Sequence, residues 1–285
     1  MSSVFASQGT RRVAAQVQDL EGVRVAVWGS LPQDSTTAFH ALFEWMNAEV
    51  ITVNSEDVRQ GALDDVDIFA VPGVSEGGTV TLLQEEGCEA VRQFVRAGGS
   101  YFGVCGGSLV PLHESVHLYE GTITTGPSVE TGIALRSMTV NQESTGPDLS
   151  EEPATYEVLL WASWAITAVN VPGYVEIATY TGTPYTGMIA YTYGSGNVFL
   201  SSPHPEFEEG DDRDGVTQFD EYNDPDSEWN FLLKIARWLV DSSPDETTPS
   251  GTTGAPIEIL FLAGAVGISV VAVVAVVVLW RRRVA

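Results

Sequence analysis

Lysine is almost missing from this chain. Lys234 is the only one, and arginine supplies the rest of the positive charge. Against 13 basic residues stand 38 acidic ones, a formal net charge of −25. A surface of that sign repels phosphate backbones and anionic lipid, which argues against nucleic acid as a partner. Cysteine is scarce too: Cys88 and Cys105 alone imply no disulfide framework. No Walker A loop occurs, and no dinucleotide-binding glycine fingerprint with its downstream acid. No cofactor is implied. Met1 to Gln16 lack the apolar core of a signal peptide.

What is present is more telling. Tyr101-Phe102-Gly103-Val104-Cys105-Gly106-Gly107-Ser108 is a short apolar run that ends in a cysteine and passes at once into glycines. That is the pattern of a strand–nucleophile–helix elbow, in which small neighbours let the backbone turn and leave the sulfur exposed. A helix starting there places its partial positive charge beside the sulfur and favours thiolate. The plainer alternative is a buried cysteine closing a core strand.

A second segment bears on that choice. Gly196-Asn197-Val198-Phe199-Leu200-Ser201-Ser202-Pro203-His204-Pro205-Glu206 reads as a turn, a strand, and a loop carrying His-Pro-Glu. His204 is placed to deprotonate Cys105, and Glu206 to hold the imidazole in its working tautomer. A lone loop histidine is more often simply solvated. An elbow cysteine followed about a hundred residues later by His-x-Glu is harder to obtain by accident.

These residues resemble the class I glutamine amidotransferase-like superfamily, whose pattern is G-x-C-x-G early and H-P-E late. Within it the chain is most similar to the domain at the N-terminus of some biotin-protein ligases. The resemblance rests on Gly103 to Ser108, Val71-Pro72-Gly73 and Asn197 to Glu206, and spans roughly Gly22 to Val240. It implies a flavodoxin-like α/β fold, a three-layer sandwich with a mostly parallel sheet. It also implies Cys105 as nucleophile, His204 as base and Glu206 as orienter. Biotin ligation is not implied, because that chemistry belongs to a separate ligase domain.

The residues themselves support such an architecture. Val23 to Trp28, Val50 to Val53 and Val66 to Val71 are runs suited to buried parallel strands. Ser35 or Thr36 can cap a helix running to about Ala48, and a helix is expected from Leu82 to Ala97. Strands alternating with helices mean βαβ units, with the site at the strands' C-terminal ends. The loop from Pro72 to Gly78 is the natural oxyanion site. Gly73, Gly106 and Gly107 are the candidate contributors, with backbone N–H groups receiving the developing charge. The superfamily more often has paired glycines directly after the proline, whereas here the pair, Gly77-Gly78, is displaced. A flexible loop is the alternative.

His113-Glu114-Ser115-Val116-His117 matches H-E-x-x-H, a zinc-peptidase motif when it lies on a helix. Its metzincin extension fails, and His113 and His117 read better as polar residues at a helix end. No metal is assigned. The second half crowds aromatics, Trp161, Trp164, Tyr174, Tyr180, Tyr185, Tyr191 and Tyr193, as a substrate wall or, more simply, as core. Asp211-Asp212-Arg213-Asp214 lacks EF-hand spacing and reads as a solvated acidic loop. Glu228 to Val240 is the last expected helix.

The expected organisation is a tail over 1–21, the α/β domain over 22–240, and a Ser/Thr/Pro/acid-rich linker over 241–256. A transmembrane helix over 257–280 and a basic tail over 281–285 follow. Ile259 to Trp280 carries no charge and is long enough to span a bilayer, and Arg281-Arg282-Arg283 closes it. The triplet favours a cytoplasmic C-terminus with the domain outside, the alternative being a tail-anchored protein with the domain in the cytoplasm. Two functions of different class remain: a cysteine hydrolase acting on a small amide or acyl substrate, and a tethered binding module without turnover.

Overall fold

The computed structural model describes residues 19–31, 33–208, 210, 212–222, 224 and 226–241. Within them the apolar runs become strands and the amphipathic runs become helices. The first half alternates β1 (Arg24–Trp28), α1 (Asp34–Trp45), β2 (Glu49–Val53), α2 (Ser55–Arg59), β3 (Ile68–Val71), α3 (Glu76–Arg96), β4 (Ser100–Val104) and α4 (Gly106–Leu109). The second half runs β5 (Thr122–Ser128), β6 (Ile133–Val140), β7 (Thr155–Trp161), β8 (Trp164–Val169), β9 (Val175–Tyr180), β10 (Thr186–Tyr193) and β11 (Gly196–Ser201), and closes with α5 (Trp229–Asp241).

Among the described residues the main sheet has the order β2-β1-β3-β4-β11-β10-β9-β6-β7, and β5 pairs β8 in a small separate sheet. The expected parallel sheet is only its first part. β2, β1, β3, β4 and β11 run parallel, while β10, β9, β6 and β7 join antiparallel. The cause is local. Tyr193 pairs with Gly196, so β10 and β11 are joined by two residues, with Gly194 at φ 62°. Such a tight hairpin reverses the chain and enforces antiparallel pairing.

Helices cover both faces of the parallel part. On one side α1 and α5 bury Phe39, Leu42, Phe43, Phe231, Leu232 and Leu239 against Val27, Phe102 and Phe199. On the other, Leu83, Cys88, Val91 and Val95 of α3 pack on Phe69, Tyr101 and Val198, and Ile123 and Ile166 of the small sheet join them. The result is the three-layer arrangement expected from the sequence. Cys88 and Cys105 are both free thiols.

Several boundaries differ from expectation. α3 begins at Glu76, with Ser75 as its cap, so Gly77 and Gly78 belong to a helix rather than to an oxyanion loop. α4 has four residues, followed by a 3-10 turn over Val110–Leu112 that contains Pro111. Proline cannot extend an α-helix from inside, so the helix dipole expected behind the cysteine is small. The segment 113–117 accordingly lies in turns. The His117 N–H closes a single turn onto the His113 carbonyl at 2.8 Å, but His117 itself sits at φ 47°, so the motif is not carried on a helix.

No helix among the described residues is long and apolar enough to cross a membrane. The expected transmembrane helix and basic tail, like most of the tail and linker segments, lie outside those residues.

Candidate active site

Strand register brings the loops together. β3 pairs β4 with Val71 opposite Gly103, and β11 pairs β4 with Ser201 opposite Val104. The segments leaving these strands at the same edge are therefore Pro72-Gly73, Cys105 and Pro203-His204-Pro205-Glu206. Cys105 and His204, far apart in sequence, become neighbours because their strands are.

Cys105 is half-buried and adopts φ 49°, ψ −120°. A non-glycine residue held in this region is strained, and the strain is maintained by what surrounds it. Its N–H donates to Ser201 O at 2.8 Å. Ser108 donates back to the Cys105 carbonyl through its N–H at 2.9 Å and its hydroxyl at 2.7 Å. The Tyr101 hydroxyl donates to Gly107 O at 2.7 Å. A side chain at Gly106 would overlap the Val74 carbonyl, and one at Gly107 the Val71 and Pro72 carbonyls. The two glycines are needed so that the elbow can press against the loop after β3.

His204 and Glu206 are buried, at 2% and 0% exposure. Imidazole Nδ1 lies 2.8 Å from Glu206 Oε1. The loop is pinned on all sides. The His204 N–H donates to Leu159 O at 2.8 Å, the Ser201 hydroxyl to Pro203 O at 2.8 Å, and the Trp229 indole to Glu206 O at 3.1 Å. Burial pulls hardest on the His204 pKa and lowers it, but the Glu206 carboxylate and Cys105 together overcome that, and the net shift is well upward. Cys105 is thus close enough to favour the imidazolium, while Nε2 forms no hydrogen bond of ordinary geometry among the described residues. Catalytic hydrogen bonds are often loose before substrate binds.

Two further residues belong to the site, Ser35, which sequence reasoning did not place there, and Trp161, which it read as substrate wall or core. The Ser35 hydroxyl donates to Glu206 Oε1 at 2.6 Å across a separation of 171 residues, and accepts from the Gly73 N–H at 2.8 Å. No signal in the sequence points to it, because a serine at a helix start reads as a cap; the cap is Gln33. Trp161 is 40% exposed, with its ring 6.1 Å from that of His204. Phe207 lies 5.5 Å away. Trp161 was one of seven aromatics in the sequence with two readings. Tyr180, Tyr191 and Tyr193 are core instead, and burial pushes Tyr180 up to about 12.

Gly73 is at the site but not as first expected. Its N–H is taken by Ser35, so it is not a free oxyanion donor. What it contributes is closeness, since a Cβ there would lie 2.6 Å from His204 Cε1. The Gly106 and Val74 N–H groups make no hydrogen bond to another described residue. Away from the site, His113 Nδ1 accepts from the Ser115 N–H and His117 stacks on Tyr119 at 4.3 Å. Asp214 does not behave as a solvated acid: it is buried and accepts from the Glu208 and Val216 N–H groups.

No protein-family model matches the chain, and no curated protein matches it in sequence. Solved structures do resemble it. A glutamine amidotransferase from Thermotoga maritima aligns at 13% identity over 77% of this chain and 89% of its own, with a TM-score of 0.49. A cytoplasmic protein from Salmonella typhimurium LT2 aligns at 9% identity over 76% of this chain and 98% of its own, with a TM-score of 0.50. A second cytoplasmic protein from Salmonella typhimurium aligns at 6% identity over the same shares, also at 0.50. At such identities the likeness is one of fold: the chain carries a flavodoxin-like α/β domain built on a mixed sheet.

Proposed function

We propose that residues 22–240 form a cysteine-dependent hydrolase or amidotransferase-like domain acting on an amide or related acyl substrate. The observation that carries this reading is the buried His204–Glu206 pair delivered beside a strained cysteine at a strand end. His204 takes the Cys105 thiol proton, and the sulfur attacks the acyl carbon. The oxyanion meets the Gly106 and Val74 N–H groups. The imidazolium then returns its proton to the departing amine, leaving a thioester. His204 next draws a proton from water, which adds to the thioester and releases the carboxylic acid and the Cys105 thiolate. The raised pKa of His204 suits the acid half of this cycle.

A second reading, a binding module without turnover, draws on His204 Nε2 having no hydrogen bond among the described residues and on the Gly73 N–H being already engaged. Alkylation of the full chain by iodoacetamide against pH separates the two. An assembled pair makes Cys105 react rapidly well below about pH 8.5, the range of an ordinary thiol, and His204→Ala removes that advantage while Cys88→Ser leaves it. A Cys105 no faster than a free thiol leaves the binding module.

We further propose that the uncharged run Ile259 to Trp280 tethers this domain to a membrane, with the domain on the extracytoplasmic side. Its support is the length of that run and the arginines that close it.

A further inference from the structure

One cavity reaches the His204 ring; a second touches neither Cys105 nor His204, but its wall has a similar chemistry. The smaller, about 190 Å³, is bounded by Asp34, Ser35, Gly73, Trp161 and His204. The larger, about 710 Å³, lies between α4 and the small sheet and is bounded by Glu76, Leu109, His113, Thr125 and Trp164. Each wall combines one carboxylate with one tryptophan, and among the described residues neither contains a lysine or an arginine. Asp34 and Glu76 form no ion pair among those residues. His113 accepts the Ser115 N–H through Nδ1. The start of α3 would attract an anion, but Glu76 already occupies its first turn and Ser75 caps it.

A substrate carboxylate drawn into the smaller cavity would lose water and face Asp34, and the one ionisable cation on its wall, the His204 ring, is already engaged by Glu206. An ammonium or guanidinium meets the opposite situation: a carboxylate and an open indole face on one wall, the combination that binds organic cations. Resting on the cysteine-hydrolase reading above, we propose that the substrate is an amide bearing an amine or guanidinium near the scissile bond and no free carboxylate. The cation sits between Trp161 and Asp34. Free glutamine, which carries a carboxylate, is turned away.

Charged thiol reagents test this without requiring turnover. The full chain carrying Cys88→Ser would be treated with methanethiosulfonates bearing a trimethylammonium, a neutral or a sulfonate group. Each rate is divided by that reagent's rate with 2-mercaptoethanol. The expected result is modification by the cation at least about tenfold faster than by the anion, a preference of the size that nearby charges produce at a partly solvated site. Asp34→Asn and Glu76→Gln each lower that ratio several-fold, while Glu56→Gln on the distant α2 leaves it unchanged. A ratio near one, or one that neither variant moves, overturns the substrate assignment while a fast neutral reagent still upholds the hydrolase reading. Slow reaction with all three reagents removes both.

Discussion

Ser35 joins the two halves of the site, since one hydroxyl bonds both the Glu206 carboxylate and the Gly73 N–H. Removing it strips a donor from a buried carboxylate whose other oxygen has no hydrogen-bond partner among the described residues. Ser35→Ala should cost about 1.5–3 kcal/mol in urea unfolding and slow Cys105 alkylation as the imidazole loses its fixed orientation. An unchanged unfolding midpoint would remove Ser35 from this role. His204 makes a pH-dependent contribution whose sign follows from its upward shift. A group whose pKa is higher folded than unfolded stabilises fully below the unfolded value, about 6.5 for histidine, and loses that effect as pH rises through the folded value. The stability difference between wild type and His204→Gln should therefore be largest in mild acid and shrink into the alkaline range. Glu206→Gln should flatten that profile. A difference that grows with pH would contradict the imidazolium–carboxylate pair. Gly106→Ala drives a methyl into the Val74 carbonyl, and should cost more than about 3 kcal/mol or prevent folding, seen as loss of cooperative thermal unfolding.

The site depends on elements as much as on residues. β11 is the pivot: parallel to β4 on one side and antiparallel to β10 on the other. Its first role is to end level with β4, so that three residues further on His204 faces Cys105. The βαβ half was legible in the sequence because strands buried on both faces read as continuous apolar runs, as Val25 to Trp28 and Ile68 to Val71 do. The antiparallel half was less so, since its aromatics fit either a core or a wall and no local signal states which strand each will pair. α3 holds a local surprise. Gln84 sits at φ 60° in mid-helix, and Arg59 donates to the Leu82 carbonyl at 2.6 Å beside the break. Glycine adopts that backbone without a Cβ penalty. Gln84→Gly should therefore be neutral or stabilising by up to about 1 kcal/mol, whereas a glycine in a regular helix interior destabilises by a similar amount. Thermal melts of Gln84→Gly and of Glu86→Gly, two residues on, distinguish these outcomes.

At the scale of the whole molecule the charge dominates. A chain at −25 repels itself, and the repulsion is long-ranged enough to be screened by salt. Raising NaCl from about 10 mM to about 500 mM, a range over which the screening length falls from tens of ångströms to a few, should raise the melting temperature. A flat response would mean that the charges are already locally compensated. The same field favours cationic ligands at long range, which is why the local carboxylates Asp34 and Glu76 must be separated from it by substitution.

The sequence by itself determined the elbow, the His-x-Glu loop, the alternation of strands and helices, and the sign of the surface. Each is written in contiguous residues or in composition, and local sterics or simple counting suffices to read it. Tertiary structure alone decided that Ser35 would serve Glu206, that Gly73 would spend its N–H on Ser35, and that Trp161 rather than Tyr180 would face the cavity. It also decided that H-E-x-x-H would fall in turns. These outcomes depend on strand register, hairpin geometry and packing across as many as 171 residues, and no local spacing encodes which distant side chain arrives.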